Sequence, residues 1–111
     1  MNDRRVEQLY LLVSTLEAAP PATALSEKEL VDQHMTFIQK LKDQGRLVGA
    51  GSLRDSDGQR FRDGDDVAGG IIMVRGGSLA EAEDLARQEP YCREGQRRIK
   101  VMPWRRSWFE D

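Results

Sequence analysis

The sequence predicts an α+β fold, in which two helices cover one face of an antiparallel sheet. Three observations support this prediction. Apolar segments alternate between strand and helix patterns, two Ser-x-x-Glu sequences precede the helical patterns, and 111 residues are enough for one domain. The order is strand, helix, strand, strand, helix, strand, which is typical of a ferredoxin-like fold. We expect one domain over residues 1–111.

The first strand and the first helix occupy the N-terminal part of the chain. The strand is predicted over residues 6–17, where the run LYLLV favours a central strand buried on both faces. Two prolines in APPATA then interrupt regular pairing. Ser26 and Glu29 have the spacing of a capping box, so a helix is predicted to begin there. Gly45 is predicted to end it through a left-handed conformation.

Two further strands are predicted on either side of a polar segment. Residues 47–53 form a short glycine-rich strand, at an edge or beside a cavity, where Gly49 and Gly51 would make a close wall for a ligand. Residues 54–68 carry eight charges and two glycines, which predicts a solvated loop or a hairpin extension. A well-buried strand is predicted over residues 69–76.

The second helix and the last strand complete the pattern. Ser78 and Glu81 repeat the capping-box spacing, and Pro90 closes the helix because the residue before proline avoids helical angles. In the final strand, RRIKVMPW, Ile99 and Val101 are predicted to face inward. Because both helices cover one face of the sheet, the other face is predicted to pack against a second copy in a homodimer.

Composition and charge exclude several classes of protein. A net charge of −2 gives no general attraction to nucleic acid or to anionic membranes. The apolar runs are too short to span a bilayer, and the start of the sequence does not resemble a signal peptide, so a cytoplasmic protein is predicted. The single cysteine, Cys92, allows no internal disulfide and no cysteine metal cluster, and is predicted to be inert.

The one histidine, His34, lies on the apolar stripe of the first helix. Leu30, His34, Ile38 and Leu41 follow one another at steps of four, four and three residues. A histidine in this position can simply bond a backbone carbonyl at the edge of the core. It can also act as a general acid or base, because its ordinary pKa of about 6.5 allows proton exchange at cellular pH.

A basic and aromatic segment ends the sequence. Between residues 93 and 106 there are six basic residues and one acidic residue, with Trp104 inside the segment and Trp108 just beyond it. Such a mixture can bind phosphates and stack bases, although solvent-facing strand positions and packing at a dimer interface explain it as well. Nucleic acid is not the expected partner. A third interpretation assigns Arg105 to steering an anionic substrate.

Several motifs, taken in order, resemble the small YCII-related proteins. They are H-M-x-x-I-x-x-L-K-D-x-G-R-L at 34–47, A-G-S-L at 50–53, S-L-x-E-A-x-x-L-A at 78–86, E-P-Y at 89–91 with Gly95 behind it, and V-M-P-W at 101–104. The resemblance covers roughly residues 5–106. It implies a dimeric α/β barrel built from ferredoxin-like protomers.

The resemblance also implies a site. In this family a histidine of the first helix is proposed to act with the aspartate of a D-P-Y motif. His34 matches the histidine, and Glu89 stands where the aspartate is expected. Glutamate adds one methylene, which would move the carboxylate by roughly 1.5 Å on an unchanged backbone. Tyr91 of the same motif would cover the pocket or pack beside it.

These features lead to two hypotheses. The first is a small enzyme without metal or organic cofactor, in which His34 and Glu89 move a proton on a compact anionic or aromatic-derived molecule. The reaction would be an isomerisation or an elimination, as the resemblance implies. Gly49, Gly51, Tyr91 and Arg105 would contact the substrate. The alternative is a non-catalytic module that binds a metabolite or another protein.

Overall fold

A computed structural model describes residues 5–109 of the chain. The elements in chain order are β1 (Glu7–Leu16), α1 (Glu27–Asp43), β2 (Leu47–Ser52), β3 (Arg62–Asp63), β4 (Asp66–Arg75), α2 (Leu79–Gln88), α3 (Pro90–Arg93) and β5 (Arg97–Arg106). Residues 1–4 and 110–111, which the sequence assigned to the same domain, lie outside this description.

The sheet has the strand order β2-β4-β1-β5, and every neighbouring pair is antiparallel. Strand β1 is central, as its continuous apolar run predicts. With helices α1 and α2 as the crossover elements, this order confirms the ferredoxin-like α+β fold. The short strand β3 pairs with the start of β4, so the charged segment 54–68 is a hairpin extension.

The helix boundaries follow local capping chemistry. Ser26 Oγ accepts from the Glu29 N–H at 3.1 Å, and the Glu29 carboxylate accepts from the Ser26 N–H at 3.1 Å, so both halves of the capping box are present. Gly45 follows the helix with a φ of 71°, the left-handed conformation that glycine adopts without strain. At α2, Ser78 Oγ accepts from the Glu81 N–H.

A short helix, α3, occupies the connection between α2 and β5, where the sequence pattern indicated only an irregular segment. Glu89 is extended, as expected for a residue before proline, and this ends α2 at Gln88. Pro90 then stands at the first position of α3, where its missing N–H costs no hydrogen bond. Glu89 is therefore the last cap of one helix and the first cap of the next.

The core lies between the sheet and the two long helices. Its buried side chains come from β1, β4, α1 and α2, and they are Tyr10, Leu12, Leu41, Ile72, Val74, Ala82 and Ala86. Within residues 5–109, no helix covers the opposite face of the sheet. Leu11 and Val13 are only partly buried there, and Met102 and Trp104 are 43% and 41% exposed. No helix within residues 5–109 is both long enough and apolar enough to cross a membrane.

Candidate functional site

A cavity of about 360 Å³ lies between α1 and the sheet, and α3 borders it. Leu12, Ile72 and Ile99 give it apolar walls. Five charged or titratable side chains line it as well: His34, Arg60, Glu89, Tyr91 and Arg97. A mainly apolar cavity with a few convergent polar groups is the usual form of a small-molecule site.

His34 and Glu89 meet inside this cavity. The Nδ1 atom of His34 lies 2.8 Å from Oε1 of Glu89, although 55 positions separate the two residues in the chain. A carboxylate oxygen accepts, so Nδ1 carries the proton of this hydrogen bond. In its neutral form, the ring is then the tautomer whose Nε2 has a free lone pair. The side chain of His34 is 26% exposed, which leaves the ring open to a molecule in the cavity.

Glu89 is held by a second hydrogen bond. Its side chain is only 3% exposed, and its Oε2 accepts from the backbone N–H of Cys92 at 3.0 Å. This contact is the N-cap of α3, so the local helix start fixes one oxygen while the other points at His34. The longer glutamate therefore reaches the histidine, with its carboxylate anchored at both oxygens.

Tyr91 lies beside the His34–Glu89 pair. The centre of its ring is 5.3 Å from that of His34, at an interplanar angle of 57°. Tyr91 also contacts Arg97, whose guanidinium carbon lies 4.0 Å from the Tyr91 ring centre. The ring thus contacts both a histidine and a cation.

Arg60 and Arg97 are cavity residues that the sequence argument did not assign to the site. Arg97 has the inward register of Ile99 and Val101, two and four residues later on β5, and this alternation is the signal that could have identified it. The pKa of Arg97 is lowered from its ordinary value, mainly by burial and next by the charge of Arg60. Tyr91 and Glu89 raise this pKa, but by less. No comparable pattern in the sequence marks Arg60, which lies in the hairpin extension.

The other predicted ligand-contacting residues occupy different places. Gly51 lines the cavity, but Gly49 and Arg105 lie outside the lining. The close backbone approach occurs at Gly70 instead, where a Cβ would overlap the carbonyl oxygen of Gly51. Arg105 is an exposed residue of β5, opposite Gln8 of β1.

Cys92 is poorly suited to nucleophilic chemistry. Burial raises the pKa of its thiol, and the neighbouring Glu89 charge raises it further. Less thiolate is then present at a given pH, and the thiolate is the reactive form. Among residues 5–109, no group of three or more His, Cys, Asp or Glu side chains is arranged to hold a metal ion.

The basic residues near the C-terminus do not form one exposed cationic face. Arg98 pairs with Glu17 and Asp66, and Arg106 pairs with Glu7. Arg97 lines the cavity. Carboxylates offset the charges of Arg98 and Arg106, and Arg97 is directed to the cavity. This weighs against the nucleic-acid interpretation, which requires a contiguous basic surface.

A larger groove, of about 670 Å³, lies along α1 and α2, and its lining includes none of His34, Glu89 and Tyr91. Its charged side chains, which include Asp32, Lys40, Arg46, Glu81 and Arg93, are of both signs. We therefore place the candidate site in the smaller cavity, where the only histidine of the chain meets a buried carboxylate.

Comparison with known proteins agrees with this fold and with the resemblance of the motifs. A solved structure of a 5-chloro-2-hydroxyhydroquinone dehydrochlorinase from Burkholderia phenoliruptrix, in complex with 2,5-dihydroxybenzoquinone, is similar with a TM-score of 0.58. The two chains are 17% identical, and the match covers 86% of this chain and 92% of that one. No curated protein matches the sequence. The profile of the YCII-related domain matches residues 11–105, and the chain therefore belongs to the YCII-related family.

Proposed function

We propose that this protein is a small cytoplasmic enzyme that moves a proton on a compact organic molecule by general acid–base catalysis. The observation that carries the proposal is the hydrogen bond of 2.8 Å between His34 and Glu89 at the wall of a cavity. A histidine oriented by a carboxylate and open to a cavity is the arrangement that such catalysis requires.

Each member of the pair has a distinct part in this proposal. Nε2 of His34 takes a proton from the substrate and returns it, or transfers it to a second position. Glu89 keeps Nδ1 protonated and stabilises the positive imidazolium that forms. The N–H of Cys92 holds the second carboxylate oxygen, which restricts rotation of Glu89 away from the ring.

The reaction class that suits these groups is an isomerisation or an elimination. In an elimination, His34 would accept the proton, and the electron pair of the broken bond would expel a leaving group such as chloride. The likeness to a dehydrochlorinase supports testing this class first. The chain needs no cofactor for such a step, because the proton and the leaving group account for all the bonds that break.

The experiment starts from a thermal-shift screen of small halogenated quinols and lactones, with 5-chloro-2-hydroxyhydroquinone as the first compound. Chloride release or product formation is then measured for each compound that binds. We expect His34→Gln to lower kcat/KM by roughly 10²- to 10⁴-fold. Thr36→Ala, an exposed change on the same helix, is the control and should leave turnover intact.

The outcomes separate the two hypotheses of function. Unchanged turnover in His34→Gln would sink the acid–base proposal. If compounds bind and the wild-type protein converts none of them, the non-catalytic binding module is favoured instead.

We further propose that the functional form is a homodimer in which two sheets pack through the faces that carry no helix. Partly buried Leu11 and Val13 and exposed Met102 and Trp104 support this proposal, because a second copy would remove their apolar surface from water. The family resemblance implies the same arrangement.

A further inference from the structure

The cavity beside His34 carries an excess of fixed positive charge. Among the described residues that line it, Arg60 and Arg97 are cationic and Glu89 is the one carboxylate. Both oxygens of Glu89 already have partners, in His34 and in the Cys92 N–H. Within residues 5–109, the Glu89 carboxylate makes no direct hydrogen bond to either arginine, although its charge acts on Arg97 at longer range.

Arg97 is positioned without being paired. Within residues 5–109, its guanidinium forms no ion pair or side-chain hydrogen bond, and its firm contact is the ring of Tyr91. It also lies close to the backbone of Gly69, where a Cβ would stand 3.1 Å from Nη1 of Arg97. A Cβ there would meet Ser14 Oγ even sooner, so the glycine leaves room for both the Ser14 hydroxyl and the guanidinium at the cavity wall. The donors of Arg97 thus remain available to a ligand.

Arg60 holds its position through the backbone of β4. Its Nη1 donates to the carbonyl oxygens of Ala68 and Gly69, at 3.4 and 3.3 Å. Its charge acts on Arg97, since it contributes to the lowered pKa of that residue. Two like charges at one cavity repel each other, and an anion bound near them relieves this repulsion.

We propose that Arg97, assisted by Arg60, binds a planar organic oxyanion, a carboxylate or a phenolate, and thereby orients the substrate of this cavity. The flat guanidinium matches such a group, because it offers parallel N–H donors in one plane. The apolar walls formed by Leu12, Ile72 and Ile99 suit the remainder of a small aromatic molecule. This inference rests on the proposed function, and it adds to it the class of substrate and a positioning residue.

The position of Tyr91 relates this anion site to the acid–base pair. Its ring contacts both Arg97 and His34, so the two groups stand within reach of one small molecule. An oxyanion at Arg97 would direct the rest of the substrate toward His34. Arg97 then fixes which carbon or oxygen of the substrate His34 meets.

The test compares anions with neutral molecules of the same shape. Binding of benzoate and benzamide, and of 4-nitrophenolate and 4-nitroanisole, is measured by calorimetry and by thermal shift. We expect at least one anion to bind about tenfold more tightly than its neutral counterpart, as a charge-assisted bidentate contact requires. Which anion binds distinguishes a carboxylate from a phenolate site. Equal affinity within both pairs would overturn the inference.

Variants then locate the contact. Arg97→Gln should lose the preference for the anion, Arg97→Lys should keep part of it, and Arg60→Gln should weaken it. Arg105→Gln removes an exposed arginine from the same strand, outside the cavity, and should bind like the wild type. If Arg97→Gln does not fold, Arg97→Lys and Arg60→Gln still decide, and wild-type affinity in both would contradict the assignment.

The test of anion binding and the test of turnover can fail independently of each other. His34→Gln should still bind the anion although it converts substrate far more slowly. Loss of turnover in His34→Gln without any anion preference in the wild type would leave the proposed function standing and remove the anion site. If instead the anion preference depends on Arg97 and His34→Gln leaves turnover unchanged, the anion site stands and the proposed function is contradicted.

Discussion

Glu89 connects three parts of the site through one buried side chain. It caps α3 through the Cys92 N–H, it bonds Nδ1 of His34, and it stands at the end of α2. A buried carboxylate without such partners would be costly, whereas this one satisfies a backbone donor and an imidazole donor. Its burial therefore links the stability of the α2–α3 junction to the orientation of the histidine.

Because Glu89 accepts two hydrogen bonds, we expect Glu89→Ala to lose stability. The change leaves the Cys92 N–H and Nδ1 of His34 without their acceptor, and each unsatisfied group costs about 1–3 kcal/mol. We expect the free energy of unfolding in urea to fall by about 3 kcal/mol. Glu83→Ala, an exposed change on α2, should stay within about 0.5 kcal/mol of the wild type. Equal losses in the two variants would contradict the account.

At the scale of elements, the close pairing of β2 and β4 forms one wall of the cavity. Gly70 of β4 faces the backbone of Gly51 and Ser52 on β2, and a Cβ at Gly70 would overlap the carbonyl oxygen of Gly51. Nothing lies within 4 Å of a Cβ placed on Gly51 itself. The two neighbouring glycines thus differ sharply in how much space surrounds them.

This difference predicts opposite results for the same substitution. Gly70→Ala forces the paired backbones apart and should lower the free energy of unfolding by about 1–3 kcal/mol, the usual cost of overpacking. Gly51→Ala meets open space and should leave stability nearly unchanged. Thermal or urea unfolding of the pair measures both values. Comparable destabilisation by the two changes would refute this description of the wall.

Local chemistry explains which elements the sequence predicts well. Ser26 and Ser78 mark helix starts because capping needs only neighbouring residues, and Pro90 marks the end of α2 for the same reason. Helix α3 is four residues long, too short for an apolar period, so its pattern carries no helical signal. The hairpin strand β3 is shorter still.

The candidate site is predictable from sequence only in part. His34 and Glu89 emerge through a family resemblance, whereas their contact depends on how α1 and α3 pack, and no local pattern fixes that packing. Arg60 enters the cavity from a charged hairpin that looks like a solvated loop in the sequence. Arg105 belongs to a basic segment whose composition alone does not show which side of β5 each residue faces, and it lies outside the cavity.

At the scale of the molecule, one face of the sheet has no covering layer from the part of the chain that the structure describes. A chain of 111 residues builds only a thin core, and Met102 and Trp104 remain 43% and 41% exposed on the strand β5. Two copies packed through this face would gain the burial that one copy lacks.

This uncovered face predicts self-association. Size-exclusion chromatography with light scattering should give the mass of two chains, and the melting temperature should rise with protein concentration. Met102→Lys should shift the protein toward monomer, because it places a charge on the proposed contact. Val31→Lys changes an exposed apolar residue on α1 and serves as the control. A wild-type protein that remains monomeric at all concentrations would exclude this dimer.

The position of the proton on the neutral His34 ring decides whether Glu89 orients this histidine for catalysis. Because the chain has one histidine, a long-range proton–nitrogen NMR correlation reports on this ring alone. The account predicts that the neutral ring carries its proton on Nδ1, bonded to Glu89, with Nε2 unprotonated, and that Glu89→Ala abolishes this preference. A neutral ring protonated on Nε2, or one whose tautomers are unaffected by Glu89→Ala, would contradict it.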